Sequence, residues 1–140
     1  MIEYQKSVEL LSTYLKKKGI YLAKGNWDAY FHEDKTVVYN YKLRNKENMV
    51  FSILHEIGHH LAFTNLKSYK NRFPVLHKQR FGSGNINKRT NRYRMEVIVE
   101  EHDAWRKGER VANKLGLDID SDKYYTYASR WVKTYYEGDV

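Results

Sequence analysis

The chain has no cysteine, a single proline and only eight glycines in 140 residues. Without cysteine there are no disulfides and no thiolate metal ligands, which fits a reducing, cytoplasmic setting and leaves histidine and carboxylate to hold a metal ion. No run reaches about 18 apolar residues, and the N-terminus lacks a charged stretch followed by an apolar one, so neither a membrane span nor a signal peptide is expected. Acidic residues are missing between Ile57 and Met95, where nine Lys or Arg fall from Lys67 to Arg94. This segment carries much of the formal net charge of +8 and could contact nucleic acid or an acidic partner, or be an ordinary solvated surface. No internal repeat or low-complexity tract occurs. A hydrophobic content of 41% with 15% aromatic residues argues against disorder, and the length suits one domain with a real core.

Against that background stands Val-Phe-Ser-Ile-Leu-His-Glu-Ile-Gly-His-His-Leu, residues 50–61, with a His-Glu-x-x-His motif at His55, Glu56 and His59. Composition alone gives roughly 2 chances in 100 of one such match. Val50, Ile53, Leu54, Ile57 and Leu61 recur at helical spacing, so the motif sits on a core helix. On that helix His55 and His59 lie one turn apart on one face, the spacing that a tetrahedral zinc ion requires. Glu56 is then close to the ion without binding it, placed to take a proton from a zinc-bound water. Gly58 costs about 1 kcal/mol of helix propensity relative to alanine, which suggests that something approaches the backbone there.

Residues 3–18 read as an amphipathic helix closed by three lysines and Gly19. Ile20–Ala23, Trp27–Phe31 and Thr36–Tyr41 read as a small antiparallel meander. Its third strand leads into the motif helix, and there it serves either as an edge for an extended peptide or as a plain structural strand. Residues 64–90, with Pro74 and a Gly-Ser-Gly at 82–84, read as a basic, mobile loop: a lid, a selecting or self-blocking segment, or an insertion without a role.

A later helix runs from Thr90–Arg92 to about Leu115. Val97, Ile98, Ala104, Trp105, Val111, Ala112 and Leu115 form its apolar stripe, and Glu101 falls inside it. A carboxylate buried there costs several kcal/mol unless a cation meets it, so Glu101 is the first choice for a third metal ligand, with a salt bridge to an arginine as the alternative. Glu100, flanked by Glu96 and Asp103, reads as part of a wetter face and is the second choice of ligand. The small Ala104 and Gly108 would let this helix approach the motif helix. Asp118, Asp120 and Asp122 read as turn and capping residues for a last helix over about 122–136, with Tyr124, Ala128, Trp131 and Tyr135 on one face. His60, His77, Tyr93 and His102 are candidates for a donor to a developing oxyanion.

The strand, the helix reading Ile53-Leu54-His55-Glu56-Ile57-Gly58-His59 and the later Glu-x-x-Ala at Glu101–Ala104 resemble the zincin metallopeptidases. Within them they look most like the ImmA/IrrE group, in which a glutamate on a later helix is the third ligand. The similarity covers roughly residues 36–115. It implies one compact α+β zincin-like domain over residues 1–140, with a small antiparallel sheet packed on the active-site helices. It further implies zinc held by His55, His59 and Glu101, with Glu56 as catalytic base. Members of that group occur on phages and mobile elements or in stress responses and cut regulatory proteins. Where they often carry Asn or Asp after the Glu-x-x-Ala, this chain has Trp105, whose indole donates but does not accept.

Overall fold

A computed structural model describes residues 3–82 and 85–137. In chain order it contains α1 (Tyr4–Lys16), β1 (Tyr21–Gly25), β2 (Ala29–Phe31), β3 (Thr36–Asn40), α2 (Lys46–Ala62), α3 (Leu66–Arg72), α4 (Pro74–Phe81), α5 (Asn91–Lys114) and α6 (Ser121–Tyr136). The helices end where the sequence provides stops: Asn45, Thr90 and Asp120 accept the backbone N–H three residues on, and Gly19 and Gly116 adopt the left-handed conformation after α1 and α5. The class is α+β, with six helices and one small sheet among the described residues. None of the helices is long and apolar enough to cross a membrane.

The sheet is mixed rather than the expected antiparallel meander. Its order is β1-β3-β2, with β1 parallel to β3 and β2 antiparallel to it. Three short runs separated by turns look the same in sequence whichever neighbour each strand chooses, and here β3 takes the centre. Its Val37 and Tyr39 point into the main core while Val38 packs on the other face. The strand leading into the motif helix is therefore no edge; the edges are β1 and β2. Asp28, just before β2, accepts the backbone N–H of Asn40 at 2.8 Å and ties the start of β2 to the end of β3.

Helices α2 and α5 touch backbone to backbone. A Cβ added to Gly58 would lie 2.6 Å from the carbonyl carbon of Ala104, and one added to Gly108 would lie 2.5 Å from the carbonyl oxygen of Leu54. Neither neighbour is a flexible side chain that could move aside. Tyr124 of α6 closes over the same crossing, its hydroxyl donating to the carbonyl of Trp105 at 2.6 Å. The buried face of α6 is Tyr124, Tyr127, Ala128 and Val132, whereas Trp131, expected to share it, is half exposed.

Residues 64–90 are not one long loop, because α3 and α4 lie within them, and the longest irregular stretch among their described residues is 85–90. Phe63, Tyr69, Phe73 and Leu76 pack with Tyr93 and Val97 into a second core cluster, which explains why so polar a segment folds back. No residue within α4's own start caps it, and Glu96 of α5 does so from outside, accepting the N–H groups of Val75 and Leu76 at 3.0 and 3.1 Å.

The α2–α5 contact makes Gly58→Ala a strong test. Overpacking against backbone costs about 1–3 kcal/mol or more. Gly58→Ala is expected to lower the midpoint of urea unfolding accordingly, even though alanine is the better helix former.

Candidate metal centre

His55 and His59 leave α2 on the face turned to α5, and Glu101 leaves α5 opposite them. His55 Nε2 lies 2.8 Å from Glu101 Oε2 and 3.1 Å from His59 Nε2, and His59 Nε2 lies 3.1 Å from Glu101 Oε1. Zinc–ligand bonds of about 2.0–2.1 Å in tetrahedral geometry put ligand atoms about 3.3 Å apart, so these three donors need to spread by only a few tenths of an ångström to hold one ion. The donor set is nitrogen and oxygen, with one carboxylate to offset charge. These three residues could hold a metal ion.

The electrostatics fit the same purpose. Burial works against a charged imidazole at His55, but its contacts with Glu101 and Glu56 outweigh burial and raise its pKa to about 9. His59 is shifted the same way, with the Glu101 carboxylate overcoming burial. Glu101 is held well below the usual carboxylate range despite burial, because His59 and His55 stabilise its charge. Glu56 is buried, with Oε1 3.4 Å from His55 Nδ1. The indole of Trp105 stacks on His55 with ring centres 4.0 Å apart and planes within 9°, fixing the orientation of the imidazole by packing.

Glu100 is placed differently from the sequence expectation. It is 2% exposed, not part of a wet face, and it accepts from the Tyr69 hydroxyl and, at 2.7 Å, from Arg80. Glu96 is equally buried and takes Arg92 at 2.6 Å, while Asp103 pairs with Arg72. The face is dry because α3 and α4, from a segment whose sequence reads as a loop, cover it. Three arginines of the basic segment are thus spent on α5 itself, and none of them reaches Glu101.

The candidates for a further donor are dispersed. His60 turns to the sheet, its Nδ1 2.9 Å from the Tyr30 hydroxyl. His77 and Tyr93 belong to the aromatic packing around α3 and α4, and His102 is exposed beside Tyr136. Two residues not among those candidates lie near the cluster, one of them, Tyr135, expected only on the packed face of the last helix. Tyr135 of α6 faces Glu101 with its hydroxyl, and burial followed by the Glu101, Glu56 and Glu100 carboxylates pushes its pKa up, so that it stays protonated. Asp28 lies within electrostatic reach of Glu56 and His55, with burial raising its pKa against the Asn40 and Ser52 hydrogen bonds that lower it. Thirteen tyrosines hid the first, and a turn position hid the second; no spacing signal distinguishes either.

No protein-family model matches the chain, and no curated protein or solved structure matches it.

Metal must displace protons from this cluster, so affinity for zinc is expected to fall as pH drops below about 9, by up to about tenfold per unit for each proton displaced. Competition with a chromophoric chelator across pH 6–9 measures it. The metal-free protein should show the converse: the raised His55 pKa contributes stability in full below about 6.5 that is lost as pH rises through about 9. A second comparison separates the two glutamates. Glu101→Gln should weaken zinc binding by more than roughly a hundredfold, whereas Glu100→Gln should lower the unfolding midpoint and leave zinc affinity nearly intact.

Proposed function

We propose that this chain is a zinc-dependent endopeptidase of the zincin type, similar to the ImmA/IrrE group, with His55, His59 and Glu101 as ligands. The observation that carries the reading is the convergence of two imidazole Nε2 atoms from α2 and one carboxylate from α5, with Glu56 beside them and not needed as a ligand. A fourth, buried acid beside the three ligands is the group that hydrolysis needs as its base.

Zinc bound there would supply Lewis acidity, polarising a peptide carbonyl and lowering the pKa of water to about 7. Glu56 takes the proton of the attacking water and hands it to the leaving amine. Tyr135, held in its protonated form, donates toward the carbonyl oxygen as charge develops on it. Trp105 keeps the ring of His55 in plane by stacking. β2 has β3 on one side only, and its other edge is open to an extended peptide among the described residues. The substrate is a protein or peptide, and the resemblance points to a regulatory one. The other reading, a binding module that grips nucleic acid or an acidic partner with residues 67–94, is less well supported because Arg72, Arg80 and Arg92 already serve Asp103, Glu100 and Glu96.

A pair of variants tests the proposal on a peptide library read by mass spectrometry. Glu56→Gln should bind zinc as the parent does and lose hydrolysis; cleavage at the parental rate would sink the general-base assignment. Tyr135→Phe should keep both fold and zinc while kcat drops by about 10²–10³, the usual loss when one oxyanion donor is removed.

A further inference from the structure

Beside Trp105, α5 and α6 line an open groove of about 590 Å³. Its buried lining is Trp105, Ala128 and Val132, and its exposed walls are Tyr125 and Tyr136. The volume lies within the range of about 300–1,000 Å³ typical of small-ligand sites. Arg106 and Lys133 stand at the mouth with side chains 59% and 74% exposed. Their acidic neighbours are Asp103, which is mostly buried, already pairs with Arg72 and lies 3.8 Å from Arg106, and the exposed Glu137, at 3.5 Å from Lys133. The Lys133–Glu137 pair is exposed on both sides and weak, and Arg106 is only the distant second partner of Asp103, so a ligand anion can compete for both cations. The indole N–H of Trp105 is buried with no hydrogen-bond acceptor among the described residues.

An apolar bed with cations at its opening suits a molecule that is hydrocarbon at one end and singly anionic at the other. A neutral hydrocarbon would gain nothing from Arg106 and Lys133, and a strongly hydrated anion would gain nothing from Trp105 and Val132. We propose that the α5–α6 groove binds a small apolar monocarboxylate, an aromatic or medium-chain acid whose hydrocarbon part lies on Trp105, Ala128 and Val132 and whose carboxylate meets Arg106 and Lys133. The site uses no residue of the His55–His59–Glu101 cluster and stands whether or not the chain hydrolyses peptides.

Titration of the isotope-labelled full chain with 4-phenylbutyrate, decanoate and the uncharged 4-phenylbutanol tests this. The probe is the Trp105 indole N–H resonance, assigned with Trp27→Phe and Trp131→Phe. At least one acid is expected to shift that resonance saturably, with the alcohol binding at least tenfold more weakly. The double variant Arg106→Glu/Lys133→Glu, changed only at exposed positions, should weaken acid binding tenfold or more with an unchanged unfolding midpoint. The proposal is overturned by the absence of a saturable shift with either acid, by equal binding of acid and alcohol, or by charge reversal without effect. A shift of the same resonance on raising protein concentration alone would overturn it too, since a second copy would then be what covers the groove.

Discussion

The separation of α2 and α5 governs everything else in this molecule. Two glycines, one on each helix, sit where the partner's backbone leaves no room for a methyl group. Ordinary side chains at those crossings would hold the axes at the usual 8–10 Å, and a glutamate on one helix would reach imidazoles on the other only through an extended, loosely held rotamer. With the backbones in contact, Glu101 spans the gap from a position where its neighbours Ala104 and Trp105 are themselves buried. Gly58 lies between the two histidines and Gly108 one turn beyond Trp105. The contact that costs helix propensity is therefore also the one that sets the distances within the cluster.

α5 shows how one helix can bury three carboxylates and give each a different fate. Glu96 meets two backbone N–H groups and Arg92, Glu100 meets Tyr69 and Arg80, and Glu101 meets two imidazoles and the Tyr135 hydroxyl but no arginine or lysine. The first two are compensated by fixed donors and permanent cations, so they hold α3 and α4 against α5 and have nothing left to offer a ligand. The third depends on groups that can lose their protons. Only that kind of pairing can give way to a metal ion, because an arginine in the same place would keep its charge and repel the ion.

What could be read from the sequence was local. The spacing of Val50, Ile53, Leu54 and Ile57 placed His55 and His59 on one helix face, the surrounding apolar residues marked Glu101 as buried, and the small Ala104 and Gly108 marked the approach of α5. The expected starts near Thr90–Arg92 and at the Asp118–Asp122 cluster lie within a residue or two of those of α5 and α6. What was not legible depended on partners far away in the chain. Strand order is decided by which neighbour each strand finds, and nothing in Thr36–Asn40 says that both β1 and β2 will choose it. Glu96 and Glu100 look solvated until a polar segment twenty to thirty residues earlier folds over them. Tyr135 acquires its place only because α6 returns along α5 so that its last turn meets Glu101.

Trp105 ties these observations together. In the resembling enzymes an Asn or Asp near this place can accept a hydrogen bond and orient a ligand histidine, and an indole cannot. In this chain ring stacking at 4.0 Å fixes the plane of His55 without withdrawing or adding charge. A hydrogen-bond acceptor would raise the basicity of the imidazole; a stacked ring leaves that to Glu56 and Glu101, the two carboxylates already next to His55. Orientation and basicity are thereby supplied by different residues. Trp105 thus serves both His55, on which it stacks, and the groove between α5 and α6, which it helps to line.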